Sequence, residues 1–112
     1  MSLVNILKDD FLAYFDTETV IDANAQIVQY NVTSPDGLVY TVYIEPSINL
    51  VGLGMKAPDG TIIDIILHNI TNIRCEKKDG TAKFYFYQGS RPEPITQMMV
   101  DPSIYIVADV QS

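Results

Sequence analysis

The fold of this chain is decided by residues 28–44, Val-Gln-Tyr-Asn-Val-Thr-Ser-Pro-Asp-Gly-Leu-Val-Tyr-Thr-Val-Tyr-Ile, in which two β-branched and aromatic runs flank a Ser-Pro-Asp-Gly turn. Pro suits the second position of a type I turn, and Gly accepts the left-handed conformation of the bulge that follows. The resulting register pairs Val32 with Tyr40 and Tyr30 with Val42. It gathers apolar side chains on one face and polar ones on the other, which predicts a hairpin with one buried face.

A second turn, at residues 57–60, repeats the Pro-Asp-Gly sequence between apolar runs. Its bulged register aligns Leu53 with Ile65 and Gly54 with Asp64, whereas the register without the bulge sets Leu53 against Asp64. Because the first arrangement keeps apolar residues opposite apolar ones, it is the one we expect.

The third turn, at residues 79–80, has Asp-Gly without Pro. We predict a two-residue turn with positive φ at both positions. It aligns Cys75 with Phe84 on the inward face and Arg74 with Tyr85 on the outward face, where cross-strand pairs of this kind are favourable. The same outward face also carries Asn72, Lys83 and Tyr87.

The remaining segments complete a mainly β fold of class α+β. Apolar residues at helical spacing predict an N-terminal amphipathic helix over about 3–15. A long loop is expected at residues 89–103 and a closing strand at residues 104–110. The 112 residues suit a single domain, 1–112. We therefore expect one helix packed on a curled antiparallel meander of six to seven strands, either open or closed into a small barrel.

The composition of the chain argues against several classes of protein. The net charge of −7 repels phosphate backbones, so nucleic-acid binding is not expected. No apolar run approaches the roughly 20 residues of a membrane span, and Asp9 and Asp10 interrupt the N-terminal apolar segment. With Cys75 as the lone cysteine, no intramolecular disulfide can form. The expectation is a cytoplasmic protein that binds neither membrane nor nucleic acid.

Two segments resemble ligand-binding motifs, but the residues that follow them do not fit those motifs. The glycine spacing from Gly52 resembles a dinucleotide-binding turn, but a Pro-Asp-Gly turn follows instead of a helix. The run from Asp22 resembles the start of a calcium loop, but Ile27 stands where Gly is needed. No Cys-His or Ser-His-Asp arrangement is present. We therefore expect no enzyme activity, no cofactor and no metal.

Asp64 and His68 lie on one predicted strand whose two faces are both apolar, which is typical of a central strand. Four residues along a strand separate them by about 13 Å, so they cannot form a catalytic pair directly. An enzyme using Asp64 as acid or base is the weakest of three hypotheses. The second is a small-molecule binding protein, whose apolar pocket would be lined by Tyr40 among other aromatic residues, with Asp64 or His68 as polar anchor.

The leading hypothesis is a non-enzymatic protein–protein interaction or assembly module, such as a small adaptor, a regulator or a phage-type structural component. Its partner is another protein or a second copy of the chain. Tyr and Arg are enriched at the energetic centres of protein interfaces, and Met is an adaptable apolar contact. The candidate interface residues are Arg74, Lys83, Tyr85, Tyr87, Met98 and Met99. For the two Met residues the alternative, which we favour slightly, is that they close one end of the sheet.

Overall fold

The computed structural model describes residues 7–108, which form two antiparallel sheets and one short helix. Sheet A has the strand order β1-β2-β3-β4-β5, and sheet B has the order β6-β7-β8-β9. The predicted class, α+β and mainly β, is confirmed. The elements are α1 Lys8–Tyr14, β1 Thr17–Asp22, β2 Ile27–Thr33, β3 Val39–Glu45, a 3₁₀ turn Pro46–Ile48, β4 Leu50–Lys56, β5 Ile62–Leu67, β6 Ile70–Lys78, β7 Thr81–Gln88, β8 Thr96–Asp101 and β9 Tyr105–Ala108.

The three Asp-Gly turns have the predicted geometries. Gly37 and Gly60 take φ values of 87° and 94°, as the glycine of a bulged Pro-Asp-Gly turn requires. At the third turn both Asp79 (φ 52°) and Gly80 (φ 78°) are left-handed, as in a two-residue hairpin turn.

The registers that these turns imply are also confirmed. Val32 pairs with Tyr40 across β2 and β3. The second hairpin pairs Gly54 with Asp64, and the third pairs Arg74 with Tyr85 and Cys75 with Phe84. Turn chemistry and the apolar pattern therefore suffice to assign each face of the three hairpins.

The chain passes from sheet A to sheet B through two residues, His68 and Asn69. Asn69 is left-handed, with φ 56°, and the backbone N–H of Ile70 donates to the carbonyl of Asn49 at 2.8 Å. The inward faces of the two sheets then share one core. The side chains that the core buries almost completely are Phe11, Tyr30, Val42, Ile44, Val51, Leu53, Ile70, Ile73, Phe84, Phe86 and Met98.

Phe11 of α1 lies between the two sheets and contacts both. Its ring stacks on Tyr30 of sheet A, with centroids 4.8 Å apart, and on Phe84 of sheet B, with centroids 4.2 Å apart. The interplanar angles are 12° and 2°, so three rings form a continuous stack. Phe15 meets the same stack edge-on. Because α1 buries Phe11 completely, this short helix is held by tertiary packing.

Charged contacts also connect α1 to both sheets. Lys77 of sheet B lies 3.3 Å from Asp10 and over the ring of Tyr14, and Lys8 lies 3.7 Å from Glu18 of sheet A. Both lysines are largely exposed, so each pair contributes at most about 1 kcal/mol. Stacking of Phe11 therefore dominates the attachment of the helix.

Three predicted chain segments differ in their bounds from the observed ones. The helix expected over 3–15 is observed as Lys8–Tyr14, while residues 3–6 lie outside the described part. The loop expected at 89–103 is wrong in its second half, because residues 96–101 form β8. The prolines on both sides of β8 obscured a plain two-residue period there, in which Thr96, Met98 and Val100 are buried. The closing strand expected at 104–110 is observed at residues 105–108, and 109–110 lie outside the described residues.

The arrangement of strands also differs from the expectation. Within residues 7–108 there are nine strands instead of six to seven, and they form two open sheets, with no closed barrel. The strand that carries Asp64, β5, is an edge strand of sheet A and not a central one. Its second apolar face is exposed to solvent, with Ile62 and Ile66 on either side of Asp64 along the strand. Apolar residues on both faces therefore do not mean a central position in this chain.

The Phe11 stack generates a stability prediction. Phe11→Ala should lower the free energy of unfolding by about 3–5 kcal/mol, because a fully buried aromatic ring leaves a cavity between the sheets. Leu12→Ala, at the exposed neighbouring position, should cost no more than about 1 kcal/mol. Urea unfolding of both variants measures the difference, and equal losses would contradict the role of Phe11.

Tyr30 generates a prediction about pH. Burial, together with the 2.8 Å hydrogen bond that its hydroxyl donates to Glu18 and the negative charge of that residue, raises the pKa of Tyr30 well above its ordinary value. The unfolded chain then releases this proton first, so the stability from Tyr30 is complete below about pH 10 and falls above it. Between pH 8 and 11, Tyr30→Phe should lose less unfolding free energy than the wild type. The exposed Tyr105→Phe should follow the wild-type profile; if Tyr30→Phe follows it too, this assignment is wrong.

Candidate functional site

The candidate site is the outer face of sheet B, the side turned away from the core. Its centre is the pair Arg74 and Tyr85 on β6 and β7. Tyr87 lies two residues further along β7, and the guanidinium of Arg74 sits 5.9 Å from the centre of its ring. A cation–π contact of this kind holds Arg74 across the face while its charge stays exposed. The structure therefore brings together three of the residues predicted from the third hairpin.

Strands β8 and β9 extend this face beyond the predicted hairpin. Lys83 pairs with Met99, which in turn pairs with Tyr105. In the next row across the sheet, Tyr85 pairs with Gln97 and Gln97 with Val107. The outer face of sheet B thus consists of two rows of aromatic, apolar and long polar side chains over four strands.

Met98 and Met99 therefore have different positions, although the sequence pattern grouped them together, either as closing one end of the sheet or as interface residues. Met98 points inward, pairs with Phe84 and is completely buried, so it belongs to the core. Met99 lies on the outer face and is partly exposed. Tyr105 and Val107 were missed, because residues 89–103 were predicted to be a loop and no neighbouring strand was expected to bring β9 beside β7.

A shallow depression of about 430 Å³ lies at the β6 side of the outer face. The loop after β7 forms one wall of it through Pro94. The depression is lined by residues of both charges, by aromatic rings and by the lone cysteine, namely Arg74, Cys75, Glu76, Lys77, Tyr85, Tyr87 and Pro94. A depression of this composition can accept a polar or charged side chain of a partner between the aromatic rings.

Asp64 lies on the outer face of sheet A, the opposite side of the molecule from Tyr85. It is exposed and faces Gly54 of β4, as predicted. One carboxylate oxygen, Oδ1, would be only 3.0 Å from a Cβ atom at Gly54, so this glycine provides the space over which the carboxylate folds back. At Gly52 a Cβ atom would meet Tyr43 and Ile66 at ordinary contact distances of 3.5 and 3.6 Å.

The three residues suggested for ligand binding are not brought together. Tyr40 faces the core side of sheet A, Asp64 faces the other side, and His68 is exposed in the connection to sheet B. The backbone carbonyl of His68 accepts a hydrogen bond from Gln88 at 2.9 Å. The space expected to form a pocket between aromatic residues of the two sheets is occupied by Phe11.

An apolar cleft of about 300 Å³ does open elsewhere, between the edge strands β5 and β9. It lies at the end of sheet A opposite to Asn49, beside which β6 begins. Sheet A contributes Tyr40, Met55, Ile63 and Ile65, and sheet B contributes Tyr105 and Ile106.

The described residues contain neither a metal-binding cluster nor a membrane-spanning helix. Between residues 7 and 108, no three His, Cys, Asp or Glu side chains lie close enough together to hold a metal ion. Asp22, at the start of the segment that resembles a calcium loop, uses Oδ1 to accept hydrogen bonds from the backbone N–H groups of Asn24 and Ala25. No helix in the described part of the chain has the length and apolar character needed to cross a membrane.

Comparison of the chain with protein-family models, with curated proteins and with solved structures found no match. The functional argument therefore rests on the geometry and chemistry of the surfaces described above.

Cys75 generates a prediction about reactivity. Its partial burial opposite Phe84 raises the pKa of the thiol, the negative charge of Asp10 adds to this, and Lys77 acts in the opposite direction. Iodoacetamide at pH 8 should therefore alkylate the folded protein at least about threefold more slowly than the urea-unfolded chain, because the thiolate is the reactive form. Asp10→Asn should speed the reaction, and Asp9→Asn should not. Equal rates for folded and unfolded protein would show that Cys75 is accessible and unperturbed.

Proposed function

We propose that the protein is a non-enzymatic protein–protein interaction or assembly module, and that the outer face of sheet B is its contact surface. The observation that supports this is the pair of rows described above with the neighbouring Tyr87, in which tyrosine and methionine side chains surround exposed or partly exposed charged groups. Tyr, Met and Arg are the residue types enriched in protein interfaces. They also contribute most of the binding energy where they are desolvated.

The size of this face favours a modest contact. Four strands about 4.8 Å apart, each contributing roughly six residues of about 3.3 Å, make a face of about 400 Å². A standard interface takes roughly 800 Å² from each partner. We therefore propose a partner that also contacts the loop at residues 89–95, where Pro94 forms one wall of the depression. A side chain bearing a carboxylate suits this depression, because Arg74 stands at its border with its charge exposed.

The outer face of sheet A is a weaker candidate because its polar side chains bond to one another. The Thr41 hydroxyl donates to Asn31 at 2.7 Å, and the Tyr43 hydroxyl donates to Glu45 at 2.7 Å. A partner on this face would have to replace hydrogen bonds that already exist, with little net gain. Asp64 on this face has neither His68 nor Tyr40 beside it, so no acid–base role is proposed for it.

A cytoplasmic location is part of the proposal and rests on the sequence. A module with Cys75 as its lone thiol needs no oxidising compartment to fold.

The test compares Tyr85→Ser with Tyr43→Ser, a matched change on the outer face of sheet A. Wild type and both variants are immobilised and exposed to extract of the source organism, and the bound proteins are measured by quantitative mass spectrometry. We expect at least one protein to be lost about tenfold or more with Tyr85→Ser and retained with Tyr43→Ser, since truncating a central aromatic contact costs over 1 kcal/mol.

The captured protein is then purified, and its dissociation constant is measured for the same three forms and for Arg74→Glu. Weakening by Tyr85→Ser and Arg74→Glu, with Tyr43→Ser unchanged, supports the proposed surface. If every bound protein is captured in equal amounts by the two tyrosine variants, the outer face of sheet B is not the contact surface.

A further inference from the structure

Tyr40 is a buried tyrosine whose hydroxyl makes no hydrogen bond. Its side chain is only 6% exposed, and within residues 7–108 no donor or acceptor is bonded to it. Tyr30 and Tyr43, by contrast, each donate to a glutamate, at 2.8 and 2.7 Å. Buried tyrosine hydroxyls usually have a partner, because losing water without gaining a hydrogen bond is unfavourable. The hydroxyl of Tyr40 is therefore free to bond a group that enters beside it.

The side chain of Tyr40 forms part of the wall of the apolar cleft, which has a volume of about 300 Å³. On sheet A, Tyr40, Met55 and Ile63 form one row across β3, β4 and β5. Leu53 and Ile65 form the next row, and two residues of β9 complete the wall. Tyr40 and Leu53 are buried, whereas Ile63 is 49% exposed. The cleft thus leads from the core side of sheet A to solvent.

Volume and charge limit what the cleft can hold. An apolar cavity of about 150 Å³ holds benzene, so a cleft of about 300 Å³ suits roughly ten to twelve non-hydrogen atoms. All the described residues that line it are uncharged. Burial, and then the negative charge of Asp36, raise the pKa of the Tyr40 hydroxyl. An anionic group beside Tyr40 would lose its hydration and also be repelled, so an uncharged ligand fits the cleft best.

We propose that the apolar cleft binds a small uncharged molecule, mainly hydrocarbon, that accepts a hydrogen bond from the Tyr40 hydroxyl. The apolar walls stabilise the complex by removing the hydrocarbon part from water, and the hydroxyl fixes its orientation. The site is separate from the proposed protein contact surface. Of the described residues that line it, Tyr105 alone also belongs to the outer face of sheet B. Ligand binding and protein binding can therefore be tested independently.

Three eight-carbon probes test the class of ligand. Acetophenone has a carbonyl acceptor, ethylbenzene has the same carbon skeleton without it, and phenylacetate carries a carboxylate. NMR titration of the isotope-labelled full chain gives each dissociation constant and the backbone amides that shift. Acetophenone should bind saturably, with a dissociation constant of about 1 mM or tighter, and should shift mainly Met55, Ile65 and Ile106. Phenylacetate should bind at least about tenfold more weakly, and equal affinity would overturn the preference for an uncharged ligand.

Tyr40→Phe tests the hydrogen bond, because it removes the hydroxyl and keeps the ring. It should weaken acetophenone binding about fivefold, the usual effect of one hydrogen bond, and leave ethylbenzene binding within about twofold of wild type. Equal changes for the two probes would show that the Tyr40 hydroxyl does not bond the ligand, and the proposed anchor would be wrong.

Ile63→Lys tests the location of the site, because it places a charge at the mouth of the cleft. It should weaken both uncharged probes at least about tenfold. Ile62→Lys is the matched control, since Ile62 is the adjacent isoleucine, 61% exposed on the opposite face of β5. It should leave both dissociation constants within about twofold of wild type, and urea unfolding checks that both variants are folded.

Two outcomes would overturn the proposal altogether. One is the absence of saturable acetophenone binding up to about 10 mM, or shifts that lie away from the cleft. The other concerns a second copy of the chain as the occupant, which sedimentation velocity at about 100 µM detects. A wild-type dimer that Ile63→Lys dissociates, and that binds no acetophenone, would assign the cleft to self-association.

Discussion

The stack of Phe11 between Tyr30 and Phe84 is the interaction on which the arrangement of the two sheets depends. The chain connects the sheets only through the two residues His68 and Asn69, and the strands of one sheet form no ladder with those of the other. Their relative position must therefore come from side chains in the core. Phe11 contacts both inward faces at centroid distances under 5 Å, so one residue of a seven-residue helix joins the two layers.

Placing the helix on one side makes the two sides of the sandwich chemically different. Between β1 and β6 the gap is filled by Phe11 and bordered by the Asp10–Lys77 ion pair. Between β5 and β9 no element of the described chain fills the gap, and an apolar cleft remains. The helix therefore closes the gap between the sheets where it packs, and the apolar cleft lies where it does not reach.

Local features of this fold could be predicted, and non-local ones could not. The turn at Asp79 and Gly80 and the pairing of Arg74 with Tyr85 depend on neighbouring residues alone, so turn chemistry and the two-residue period were enough. The division into two sheets depends on how far the chain rotates at Asn69, which composition does not reveal. Whether β5 is central or at an edge is likewise a property of the whole sheet. Its apolar faces are compatible with burial by a neighbour or with exposure.

The same distinction explains which parts of the candidate site were found. Arg74 and Tyr85 were found because both belong to one hairpin, whereas Tyr105 joins the same face only through β8. The two outer faces also differ in a way that a list of residues cannot show. Sheet A carries polar side chains that satisfy one another, as Thr41 and Asn31 do, while sheet B carries rings and charges turned to solvent. Because net binding free energy comes from groups that gain contacts on association, the outer face of sheet B is expected to contribute more binding free energy than that of sheet A.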